Sequence, residues 1–156
     1  MLTVIGCGNS NRSDDGVGVM VAQSLLAHLK SHPNPYVRVF DAGTAGMDVM
    51  FQARGSRELI IVDASRSGSE PGSIFEIPGY ELENIPQPNY NLHDFRWDHA
   101  LYAGRQMFKD EFPSNVTVYL IEVAELSLGL SLTSAVARAA GRVCESIKRR
   151  IDCYEG

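Results

Sequence analysis

The chain has 156 residues, of which 44% are hydrophobic and 21% charged, enough apolar content for one compact domain spanning residues 1–156. The formal net charge of -5 disfavours a nucleic-acid backbone as partner. No apolar run approaches the roughly 18 residues of a membrane-spanning helix, and "MLTVIG" shows no basic segment followed by a long apolar one, so neither membrane nor signal peptide is expected.

"LTVIG" reads as a short buried strand ending in glycine. Val17, Met20, Val21, Leu25 and Leu29 then recur at helical spacing, and "SHPNP" stops that helix. "YVRVFDAG" is a second strand with Asp41 near its end. "TAGMDVMFQARG" fits a short helix closed by Gly55. "ELIIVDAS" is a third, strongly apolar strand ending at Asp63. A short strand is expected near Ile74 to Ile77, then an irregular loop. A helix is expected over Trp97 to Phe108, with Trp97, Leu101, Gly104 and Phe108 on one side. "NVTVYLIEV" is another strand and "ELSLGLS" a loop. The last helix is expected to begin near Ser131 as N-cap, with Leu132, Val136, Ala140, Val143, Ile147 and Ile151 as its apolar face. Alternation of strands and helices predicts an α/β fold. The expected form is a single three-layer domain, a mostly parallel twisted sheet with helices on both faces.

Cysteine is sparse: Cys7, Cys144 and Cys153, with no CxxC pair. This argues against a disulfide framework or structural zinc and for a reducing, cytoplasmic setting. Cys7, in the glycine-rich segment, invites a catalytic reading, but that of a small buried residue is preferred.

In open α/β sheets, sites form beyond the carboxyl ends of the strands. The first strand runs into "GCGNSNRSDDG", the second ends at Asp41 and the third at Asp63, so carboxylates gather at one edge. A dinucleotide site would want a third glycine where Asn11 stands, and Asp14 and Asp15 would repel a pyrophosphate. The simplest account of those two residues is capping of the following helix, which leaves Asp41 and Asp63 unexplained. Clustered carboxylates need a cation or a proton, and a histidine would complete a mixed oxygen and nitrogen site suited to Ni²⁺ or Zn²⁺. His93, in the loop "YNLHDFRWDHAL", is preferred over His99. His28 and His32 lie at the far end of the first helix.

The set "GCGNSNRSDDGVG", "DAGTAGM", "IIVDA" and "LHDF" resembles the hydrogenase maturation endopeptidases, which trim the C-terminal tail of nickel–iron hydrogenase large subunits. The resemblance covers essentially the whole chain. "HDFRWDHAL" is similar to members serving NAD-reducing or bidirectional hydrogenases. Ala42 in "DAGT", and Ala124 ahead of Glu125 in "VAELS", depart from common family patterns. The resemblance implies a three-layer α/β peptidase whose partner is an immature large subunit. It implies metal contacts by Asp15, Asp63 and His93, with Asp15 ranked above Asp14. It also implies nickel supplied by the substrate and no organic cofactor. Asp15, Asp63 and Asp41 become the candidate catalytic carboxylates, and Gly43, Thr44 and Gly46 the candidate substrate-binding loop.

Overall fold

The strand β1 (Leu2–Cys7) is buried at every position, because it lies between β2 (Val37–Gly43) and β3 (Glu58–Ser65) and is covered on both faces. Such a strand reads as a continuous apolar run. The computed structural model describes residues 1–83 and 96–156. Beyond β3 lie β5 (Asn115–Glu122), parallel to it, and the edge strand β4 (Ile74–Pro78), antiparallel to β5. The sheet order is β2-β1-β3-β5-β4.

Four α-helices cover it: α1 (Val17–Ser31), α2 (Gly46–Ala53), α3 (Trp97–Phe108) and α4 (Ser134–Asp152). On one face, α1 and α4 bury Val17, Val21, Leu25, Val136, Val143 and Ile147 against Leu2, Val4, Ile60 and Ile121. On the other, α2 and α3 bury Val49, Met50, Trp97 and Leu101 against Ile5, Leu59, Ile61 and Val118. The period-2 alternation of β1 and β3 divides their side chains between these two cores. The expected three-layer, mostly parallel α/β fold is the observed one.

Two expectations about helices change. Met20 is 44% exposed: at about 100° per residue it lies on the far side of α1 from the stripe centred on Val21 and Leu25. The last helix begins at Ser134 with Thr133 as its N-cap residue, not at Ser131. The cause is a long-range anchor, since the Thr133 amide and hydroxyl both donate to Asp14 and hold Leu132 outside the helix.

The glycines of the first motif act by permitting close approach. A Cβ on Gly6 would collide with the Gly18 carbonyl oxygen, and one on Gly18 with the carbonyls of Val62 and Cys7. The start of α1 therefore rests directly on the β1 and β3 backbones. Gly18 supplies the helix-to-strand packing that a dinucleotide fold obtains from its third glycine.

Candidate active site at the ends of β1 and β3

Strand order reverses at β1, since the chain passes outward to β2 and then back across to β3. A crevice opens beyond the carboxyl ends of strands at such a switch point. The cleft there has a volume of about 570 Å³, with Cys7, Asp15, Thr44, Asp63, Trp97 and Leu126 among its lining residues.

Asp63 lies on its wall, at the end of the apolar part of β3, and is buried. Its Oδ1 accepts the Ala64 amide at 2.8 Å, and its Oδ2 accepts the Trp97 indole N–H at 2.7 Å. The Arg96 guanidinium stands 3.9 Å from the same Oδ2. Burial pushes the Asp63 carboxyl up to about 6; Trp97, Ala64 and Arg96 oppose this and the Asp15 charge adds to it. Asp63 is thus ionised at neutral pH yet basic enough to take a proton. Beside it, burial and then the Asp63 charge raise the Cys7 thiol well above its ordinary value. Cys7 is a neutral thiol at pH 7, not a nucleophile, in keeping with its reading as a small buried residue.

The two adjacent aspartates separate by function. Asp15 is half-buried and lines the cleft. Its backbone is pinned, the carbonyl accepting the Asn9 amide and the amide donating to Arg12. Gly8 makes this fit possible: its φ is +131°, and a Cβ there would strike the Asp15 carbonyl. Asp14 points the other way and is fully buried. It accepts the amides of Ala124, Glu125 and Thr133 and the Thr133 hydroxyl. Burial alone would raise its carboxyl, but these donors outweigh that and hold it below the usual range. Neither aspartate side chain closes the N-terminus of α1, so the capping account gives way to a tether. Asp14 fastens the segment between β5 and α4 beside the cleft.

Asp41 is exposed and engaged locally. Its Oδ1 accepts the Gly43 amide at 3.0 Å and its Oδ2 the Gln23 side-chain amide at 3.3 Å. It holds the turn that carries Gly43, Thr44 and Gly46, all of which line the cleft. In that turn the amides of Gly43, Ala45 and Gly46 already donate within the loop, and the Gly43 carbonyl accepts the Gly8 amide, joining the ends of β1 and β2.

His93 lies outside the described residues. Among those described, no group of at least three His, Cys, Asp or Glu side chains could hold a metal ion. Asp15 and Asp63 are two oxygen donors on one cleft, a partial ligand set that fits an ion arriving with ligands of its own.

Three contributors escaped sequence reading. Trp97 and Arg96 reach Asp63 from the start of α3. Glu122, buried at the end of β5, accepts the Ser67 amide and hydroxyl and the Gly68 amide. These donors overcome burial and lower its carboxyl, fixing the segment after β3. Glu122 did carry a signal: it is a strand-end carboxylate, like Asp41 and Asp63.

Residues 19–150 match the sequence profile of a family described as hydrogenase maturation protease. The chain is 27% identical over 155 residues to the coenzyme F420 hydrogenase subunit delta of Methanothermobacter thermautotrophicus, covering 94% of this chain and 91% of that one. It is 28% identical over 136 residues to the hydrogenase 2 maturation protease of Escherichia coli, covering 86% and 80%. Among solved structures, the hydrogenase maturating endopeptidase HybD from E. coli superposes with a TM-score of 0.76 at 25% identity, covering 96% of this chain and 90% of that one.

Proposed function

Since the chain belongs to the hydrogenase maturation protease family, we propose that it removes the C-terminal extension of an immature nickel–iron hydrogenase large subunit after reading the nickel already placed there. The observation that carries this reading is the pair Asp15 and Asp63 on one cleft at the sheet's switch point. Two carboxylates on one cleft repel each other, and the largely exposed Arg96 guanidinium, 3.9 Å from Asp63, offsets this only in part, which favours a bound cation.

In this proposal Asp15, Asp63 and His93 contact the client's nickel, whose remaining ligands come from the client. The scissile bond is thereby brought beside the carboxylates. A water attacks the peptide carbonyl, Asp63 or Asp15 takes its proton, and the proton passes to the leaving amine. Thr44, Gly43 and Gly46 line the path of the tail, and Asp41 holds their turn. No organic cofactor takes part. We place the protein in the cytoplasm with its client; among the described residues no helix is long and apolar enough to cross a membrane.

The test is incubation with an unprocessed large subunit, nickel-loaded or nickel-free, followed by intact mass. Loss of a C-terminal peptide from the loaded form alone is the expected result. Equal cleavage of both would keep the protease and remove the nickel reading. Cleavage of neither would contradict the proposal for that client.

A further inference from the structure

Trp97 is the chain's single tryptophan, and its ring lies in the core between α2, α3 and the sheet. Packing accounts for the ring. It does not account for where the N–H points. A buried indole N–H needs an acceptor, and a carbonyl would serve. Here the acceptor is the Asp63 carboxylate at 2.7 Å, on the wall of the cleft.

Among the described residues, each Asp63 oxygen accepts one donor that is short and well placed, Trp97 on Oδ2 and Ala64 on Oδ1. The Ala64 amide adjoins Asp63 in the chain and cannot by itself stop the carboxylate turning about its last bond. The second donor does that, because it comes from a different element. Arg96 is poorly suited to fixing the carboxylate. It is 3.9 Å away and its side chain is 63% exposed, so its hold is loose and screened. A carboxylate oxygen can accept more than one hydrogen bond, and Asp63 lines the cleft.

We propose that Trp97 is a positioning residue for the protease reaction, its indole N–H locking the Asp63 carboxylate in the orientation that meets the client. This rests on the protease reading above. Partners that orient metal-binding or catalytic carboxylates typically contribute about 10–100-fold in affinity or activity.

The test must separate the N–H from the ring. Trp97→benzothienylalanine keeps the bicyclic shape and replaces N–H by sulfur; Trp97→Phe removes the N–H and part of the ring. With nickel-loaded precursor, the isostere should lower kcat roughly 10–100-fold while KM moves by less than about threefold. Wild-type kcat in the isostere overturns the proposal, whatever W97F does. A second readout needs no activity: D63A, which removes the acceptor, should shift the fluorescence emission of Trp97, and an unchanged spectrum also overturns it. Failure of the unaltered protein to cleave counts against the protease reading instead, and emission still reports the indole–carboxylate link.

Discussion

Asp63 and Asp14 respond to pH in opposite senses. The Asp63 carboxyl sits at about 6 in the fold, against about 3.9 in an unfolded chain. The folded state holds that proton more tightly, so the contribution of Asp63 is complete below about pH 4 and lost as pH rises through about 6. Above that, the buried charge costs on the order of 3 kcal/mol. Asp63→Asn removes the charge but sets an amide NH₂ against the Ala64 N–H, returning part of the gain. Urea unfolding at pH 8 should find D63N about 1 kcal/mol more stable than wild type, with a flatter profile between pH 4 and 6, and without cleavage activity. A D63N protein clearly less stable at pH 8 would contradict the assigned burial. Asp14 has a lowered carboxyl, so its contribution is present above about pH 3.9 and lost as pH falls through its lower folded value. Asp14→Ala removes a buried charged acceptor shared by three amides and the Thr133 hydroxyl and should cost about 3 kcal/mol in denaturant unfolding.

At the scale of elements, α1 depends on its glycines and α4 does not. Gly6→Ala or Gly18→Ala forces a methyl onto backbone that cannot yield, and each should cost about 3 kcal/mol. Gly141 lies in α4 with nothing near its Cβ position, so Gly141→Ala should stabilise by about 0.5–1 kcal/mol. Thermal unfolding of the three variants checks both signs. The elements themselves were largely legible: the β1, β3 and β5 runs and the α3 span follow local pattern, whereas α2 ends at Ala53 with an extended Arg54 as its C-cap and the Gly55 amide donates to the Glu111 carbonyl instead of back to the helix. The start of α4 was not. Ser131 is a good N-cap by type, but Asp14, 119 residues away from Thr133 in sequence, selects Thr133. Trp97 was readable as a core residue of α3, yet its bond to Asp63, 34 positions distant, was not. Local periodicity reports which face is buried; it does not report which polar atom meets which across the fold.

At the scale of the molecule, the site follows from topology. Central strands buried on both faces end together, and the reversal of order at β1 opens the crevice between their ends. Asp63 lies near the end of β3 and Asp15 in the 3-10 turn Ser13–Gly16 that follows β1, and the two share an edge because those strands are neighbours; the strand-end pattern pointed to this edge, and the family resemblance ranked Asp15 above Asp14. The same edge also holds their surroundings: Asp14 fastens one bordering segment and Glu122, at the end of β5, another. Glu122→Gln keeps the shape but loses the charge facing its donors, and should loosen the segment around Ser67 without unfolding the protein. Amide hydrogen exchange should show faster exchange at Ser67 and Gly68 than in wild type, and unchanged protection there would contradict the clamp.

On this account the Asp15 and Asp63 carboxylates read the client's nickel. The most direct measurement is the affinity of wild type, D15N and D63N for nickel-loaded and nickel-free precursor. Wild type should prefer the loaded form by about tenfold or more, and either substitution should bring the two affinities together. A D63N protein that keeps the wild-type preference would contradict the account.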